Sequence, residues 1–462
     1  GYYILGKRFK PVAAHVWLLA FSLVFCFSHG FMQGLVIVLD VSLNFYISKA
    51  ISKFQKKKAF LILGISVNVI ALLVLKYMGL FSEIAGLFLS KEIRIENLIM
   101  PVGISYLTFR QIGYLVDVYR NELSIPGAVD YFLYAFYFPM LVQGPITPAS
   151  DFFSKLGEDG HTKYNPERFS KGLYWAVIGL TKNILLADKK AKTVSWCFDN
   201  TENLTSAEII ILMFVFTTQL YFDFSGYCDI AAGVSEMFGI TLPKNFDSPY
   251  KSKSVTEIWR RWHITLSDFL KKYIYFPLGG SKKGSIRTYI NIIIVYVISG
   301  LWHGTGFTYL VWGIINGILQ IFERLFKKSI SKVNKFVRWF FTYLTWNVVF
   351  LLFRSASFMQ FWTLLTGVFT RKSFYVSGEF LASATIFELE YLEKHMGNLG
   401  QLLPKLHLPA FMIVSFVIIF GFKNLYEKEF KPSVLKAITA GGLLFWCILS
   451  LGGITSFLYA IY

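Results

Sequence analysis

Charge is scarce in this sequence. Only 16% of its 462 residues are Asp, Glu, Lys or Arg, against about a quarter in a soluble protein. Cysteine is scarcer: Cys26, Cys197, Cys228 and Cys447 stand far apart in or beside apolar segments, with no CxxC pair. That excludes a disulfide scaffold and gives no support to a zinc site, so these are read as buried structural thiols. No HExxH, GxSxG, P-loop or GxGxxG signature occurs. Metal, serine-hydrolase and nucleotide-hydrolysis chemistry therefore lack support, and no metal ligand set is assigned. No internal repeat and no low-complexity linker is visible, so residues 1–462 are read as one domain. The chain opens GYYILGKRFK without a signal-peptide pattern, a start that leaves room for a helix upstream of Gly1.

What is present is apolar surface. Mean hydropathy is +0.51, 55% of residues are hydrophobic and 18% are aromatic, with 47 Phe, 26 Tyr and 11 Trp. This balance excludes a disordered chain and a water-soluble enzyme and implies an all-α polytopic membrane protein. The apolar run 12–48 is too long for one span and breaks at Ser28, His29 and Gly30 into two helices. Further spans are expected at 59–81, 97–119, 169–195, 208–238, 339–369, 410–422 and 434–461. Residues 288–322 are apolar for about 50 Å as one straight helix, well beyond a roughly 30 Å core, with Gly300, Gly304 and Gly306 available to break it. The total is about ten to twelve membrane helices with re-entrant and interfacial pieces. Residues 130–148, with Pro139, Gly144, Pro145 and Pro148, read as re-entrant. If that piece fails to cross, the basic segments 49–58 and 251–287 share one face, the cytoplasmic one. The polar insert 370–409 interrupts the pattern.

Lys and Arg number 46 against 28 acids, a net charge of +18. Between apolar runs this excess reads as the positive-inside rule and attraction to anionic lipids rather than to nucleic acid. A basic mouth also attracts a polyanionic cosubstrate such as a coenzyme A phosphate.

Of the seven histidines, only His303 lies deep in an apolar run with no charge nearby, in SGLWHGTGFTYLVWG. A break there is tolerated only against protein or a water-filled cavity. An ionisable residue at that depth is a functional candidate, with a neutral histidine bridging helices as the structural alternative. Histidine suits general-base work near neutral pH. A second constellation is WRRWHITLSDFLKKYIYFPLGG (259–280). Its rings and cations read as an interfacial helix, but Arg260 and Arg261 beside His263 also form a candidate phosphate or carboxylate clamp. The third is YFDFSGYCD (221–229), with Asp223, Ser225 and Asp229 inside a span. The plainer reading of these acids is an ion pair with an arginine such as Arg260 or Arg261.

SVTEIWRRWHITLSDFLKKYIYFPLGGSKKG and SGLWHGTGFTYLVWGIINGILQ, with PVGISYLTFRQIGYLVDVYR, FPMLVQGPI, YFDFSGYCDIAAGVSEMFGI and FRSASF, resemble the membrane-bound O-acyltransferase family. The likeness is to its bacterial alginate O-acetyltransferase branch. The resemblance implies many helices around a central funnel or tunnel. It implies acyl transfer from a cytoplasmic thioester donor, acetyl-CoA foremost, to a hydroxyl acceptor reached from the outer side, with no bound cofactor. His303 becomes the catalytic histidine and His263 the supporting one; Arg260, Arg261, Trp302, Asp223 and Ser225 become substrate- or donor-side candidates. The oxyanion of thioester attack needs donors, for which Trp302, Thr305 and the amides near Gly304 and Gly306 are candidates. An extracytoplasmic acetyl-handling protein is the implied partner, in a bacterial cytoplasmic membrane. Two other readings stay open: D-alanyl transfer from an acyl carrier protein toward teichoic acid, and a transporter or flippase of an acylated intermediate.

Overall fold

Every regular element is helical in the computed structural model, which describes residues 1–89, 100–158, 160–384, 395–396 and 398–453. Among the described residues, seven helices are long and apolar enough to cross a membrane: Pro11–Ser28, Phe31–Lys53, Lys57–Met78, Ser206–Met237, Gly284–His303, Lys335–Arg354 and Leu406–Glu427. Val434–Leu449 is a shorter apolar helix. The chain divides into two compact units, one of residues 1–176, 230–243 and 271–273, the other of 177–229, 244–270 and 274–462.

In the first unit, α1 (Tyr2–Arg8) and α2 (Pro11–Ser28) lead to the expected break at Gly30 and then to α3 (Phe31–Lys53) and α4 (Lys57–Leu89). Next come α5 (Ile104–Tyr119), α6 (Ala128–Phe136), α7 (Phe138–Leu141) and α8 (Ala149–Leu156). At nine and four residues, α6 and α7 are too short to cross a bilayer, in line with the re-entrant reading of 130–148. Several buried polar side chains here have partners within the unit. Asn68 Nδ2 donates to Asn44 Oδ1 at 2.6 Å, joining α3 to α4. The Arg110 guanidinium, buried in α5, donates to the Tyr134 and Ala135 carbonyls at 3.0 and 3.2 Å, serving the C-terminal end of α6. Asp117 receives Lys272 Nζ and the Tyr273 hydroxyl, each at 2.8 Å. The residues of α9 (Pro166–Leu180) up to 176 belong to this unit.

In the second unit the chain passes through a π-helix, Thr181–Asp188, and α10 (Lys189–Asp199) into the 32-residue α11 (Ser206–Met237), whose residues from 230 on belong to the first unit. The most apolar stretch of α11 is 83% buried within the protein, against 11% for that of Lys57–Met78. The acids of α11 therefore face protein rather than lipid, where they are tolerated. Short helices α12 (Val255–Trp259) and α13 (Ile264–Leu270) precede a hairpin of α14 (Gly284–His303) and α15 (Phe307–Leu325). This is the break expected within 288–322. A Cβ on Gly300 would overlap the Tyr309 carbonyl oxygen, and one on Gly313 the Tyr296 carbonyl oxygen. The two helices thus touch backbone to backbone, the small-residue packing of membrane helices. The basic segment 327–338 contains a short helix, α16 (Lys327–Lys332). After it come α17 (Lys335–Arg354), α18 (Phe358–Thr370), α19 (Gly378–Ser383), α20 (Asn398–Phe416) and α21 (Val434–Leu449). The insert read at 370–409 holds α19 and the start of α20; its residues 385–394 and 397 lie outside the described residues, as do 454–461 of the last expected span.

Candidate functional site

His303 is the last residue of α14, and Gly304 leaves the helix in extended backbone. Its side chain is buried in a box of aromatic edges. Trp302 lies 4.8 Å away between ring centroids, Phe353 of α17 5.3 Å and Trp312 of α15 5.4 Å, all steeply inclined. The Trp312 Nε1–H is buried and makes no hydrogen bond among the described residues.

His263 belongs to the turn between α12 and α13, in the left-handed region at φ +46°. A non-glycine residue pays about 1–2 kcal/mol there, so the turn is held by other bonds. The side chain is 1% exposed, and burial pushes its imidazole down, to about 3, which keeps the ring neutral. Its Nδ1 sits 3.2 Å from Asn245 Oδ1. The ring of Phe224 stands edge-on at 4.8 Å and that of Trp302 at 6.0 Å. The His263 and His303 rings lie 6.4 Å apart. Two histidines 40 residues apart in sequence thus come together beside a shared indole, that of Trp302.

The paired arginines part company. Arg261 is bound locally, with a guanidinium nitrogen 3.0 Å from Glu257 Oε1 and another donating to the Asp247 carbonyl at 3.1 Å. Arg260 lines a pocket of about 620 Å³ with Arg324, Lys327 and Arg338. The one carboxylate lining that pocket, Glu323, accepts from the Val255 and Thr256 amides and the Thr256 hydroxyl, capping α12. The pocket is therefore cationic.

In α11, Asp223 Oδ1 accepts from Asn183 Nδ2 at 2.7 Å, and Asp229 pairs with Lys182 at 2.5 Å. The expected arginine partner of Asp229 is thus replaced by a lysine. Lys182 and Asn183 lie in the first turn of the π-helix, whose wider turn changes which residues share a face. Ser225 is buried in the same helix. Its neighbour Phe224 is what touches His263. The fold thus gathers His263, Trp302 and His303, keeps Asp223 and Ser225 on the supporting helix, and sends Arg260 to the pocket. Sequence reasoning missed Asn245, Trp312 and Lys182. Asn245 carried no signal in the irregular stretch between α11 and α12, whereas Trp312 follows His303 in the same motif.

The family model described as MBOAT, the membrane-bound O-acyltransferase family, matches residues 14–365. Among curated proteins, the chain is similar to a peptidoglycan O-acetyltransferase of Helicobacter pylori, 32% identical over 401 residues, covering 80% of this chain and 76% of the relative. It is 29% identical over 450 residues to the probable alginate O-acetylase AlgI of Pseudomonas aeruginosa, covering 94% and 81%. A teichoic acid D-alanyltransferase of Bacillus subtilis is 28% identical over 256 residues, covering 53% and 63%.

Proposed function

The chain belongs to the membrane-bound O-acyltransferase family, and on that premise we propose that it passes an acetyl group from a cytoplasmic thioester to a hydroxyl acceptor, for modification of a cell-surface or secreted polysaccharide. The observation that carries this reading is the meeting of His263 and His303, both buried, at 6.4 Å beside the Trp302 indole. The chain is a membrane O-acyltransferase, so the site must bring an activated acyl group to a poor nucleophile. His303 is the general base. It takes the hydroxyl proton as the oxygen attacks the thioester carbonyl. The tetrahedral oxyanion collapses, the acyl–sulfur bond breaks, the acyl–oxygen bond remains, and the proton passes from His303 to the departing thiolate. A positioned base contributes on the order of 10²–10⁴-fold. The Trp312 indole N–H, beside His303, is the donor best suited to the oxyanion.

The cationic pocket supports a phosphate-bearing donor. Ile292 lines it, and His303 stands eleven residues further along α14, about 16 Å at the helical rise. The pantetheine arm of coenzyme A, anchored through the coenzyme's phosphates, bridges such a gap. Acetyl is preferred to D-alanyl because the relatives named for acetylation cover 80% and 94% of this chain, against 53% for the D-alanyltransferase. The setting is a bacterial cytoplasmic membrane with anionic lipids at its basic loops. An extracytoplasmic protein completes delivery to the glycan, and coenzyme A outranks an acyl carrier protein as donor.

The test follows labelled acetyl-CoA with purified protein, reading thiol release and label on a glycan acceptor. Wild type releases thiol, and His303→Ala with the same monodisperse elution loses at least a hundredfold. Equal release by the variant overturns the general-base role. Label crossing the bilayer with its thioester intact would instead identify a transporter.

A further inference from the structure

We propose that Asn245 is a positioning residue that locks His263 in the tautomer protonated on Nδ1, leaving Nε2 as the hydrogen-bond acceptor in the histidine pair. This rests on the acyl-transfer reading for its consequence, though not for its geometry. A backbone amide can only donate, and the Thr265 amide lies 3.2 Å from one side-chain atom of Asn245. That atom is therefore the carbonyl oxygen, Oδ1. The Thr265 hydroxyl also donates to it, at 2.9 Å. An oxygen already fixed as acceptor requires a donor from His263 at 3.2 Å, so the proton sits on Nδ1. The other end of the amide then directs its N–H toward Cys228 Sγ at 3.2 Å, consistent with the same orientation.

Asn245 also anchors the turn from its backbone, where its carbonyl accepts the Ile264 amide at 3.0 Å. One buried residue thus holds three consecutive positions, 263 to 265, and offsets the left-handed backbone of the first. A neutral imidazole has one donor and one acceptor nitrogen. With the donor committed to Asn245, His263 offers acceptance alone, toward an N–H or O–H of the substrate. Burial keeps the ring neutral and so preserves that polarity. The two histidines are then set for different tasks. His303 moves a proton, and His263 holds one that stays on the substrate.

Solid-state ¹⁵N NMR of histidine-labelled protein, with His263→Gln to assign the signal, reads the tautomer without any turnover. A protonated Nδ1 and an unprotonated Nε2 for His263 are expected. A protonated Nε2 overturns the proposal, whatever the enzyme does. Kinetics adds a second reading. Asn245→Asp keeps the acceptor and adds a charge that favours imidazolium, so it retains transfer and moves the acid limb of the pH–rate profile to higher pH. Asn245→Leu lowers kcat on the order of 10²-fold or more while KM for the donor holds. An unmoved pH profile in Asn245→Asp counts against the proposal, also when Asn245→Leu fails to fold. If the tautomer is as stated and His303→Ala still transfers acetyl, the functional reading fails and the positioning role stands.

Discussion

His15 and His161 face each other Nε2 to Nε2 at 2.8 Å. His161 Nδ1 lies 2.9 Å from the Glu158 backbone carbonyl, which only accepts, so this nitrogen carries a proton. Neutral His161 then accepts at Nε2, and His15 must donate. His15 Nδ1 lies 2.7 Å from an Asp130 carboxylate oxygen. The chain ties α2 to α6 and to the turn at His161. Desolvation lowers the His161 pKa from its ordinary value near 6.5. A depressed histidine pKa means that the unfolded chain binds the extra proton first. The stabilisation is complete above about pH 6.5 and is lost as pH falls below it. The thermal midpoint in detergent is expected to drop between pH 7.5 and pH 5, and to drop less in His161→Gln. Equal drops would sink this account.

Lys182 and Asp229 form a buried ion pair. Lys182→Met strands the carboxylate and is expected to cost about 3–5 kcal/mol, seen as lost monodisperse protein. Lys182→Met with Asp229→Leu leaves no charge behind and should recover much of that yield. No recovery would mean the pair has a role beyond mutual neutralisation.

Gly313→Ala places a methyl group against the Tyr296 carbonyl. The expected cost is about 1–3 kcal/mol, with a fall in transfer as His303 shifts. Gly441→Ala in α21 meets nothing within 4 Å and serves as the control. Its thermal midpoint should hold or rise, because alanine loses less backbone entropy in a helix. Matching midpoints for the two variants would show that the helices part at no cost.

Arg338→Ala, in the cationic pocket, should raise KM for acetyl-CoA about tenfold with little change in kcat, the signature of ground-state binding lost. Acetyl-pantetheine, which lacks the phosphates, should react equally with both proteins. A matching KM rise for that truncated donor would remove the phosphates from the pocket.

The helix break at Gly304–Gly306 was legible because a 35-residue apolar run exceeds a bilayer and glycines mark where it yields. His303 was legible because a lone ionisable residue deep in an apolar run is conspicuous. His263 stood out less, since aromatic and basic neighbours read equally well as an interfacial belt; the family motif singled it out. Other relationships could not be read at all. Nothing in RR says which arginine caps its own turn and which opens to a pocket. The partner of Asp229 stands 47 residues away, on a π-helix. Side-chain facing there departs from the 3.6-residue period on which pattern reading depends. Asn245 works through one amide oxygen shared by three donors, a convergence that exists only once the chain has folded.

The glycine contacts between α14 and α15 have a metric consequence. Helices that touch through their backbones have no side-chain layer in which to slide, so α14 cannot slip along α15 without carrying its partner. The distance from the cationic pocket at Ile292 to His303 is then fixed by helical rise, as graduations are fixed on a caliper. On the proposed reading, donors are sorted by reach. A thioester on too short an arm stops before the histidine, and one on too long an arm must buckle to react.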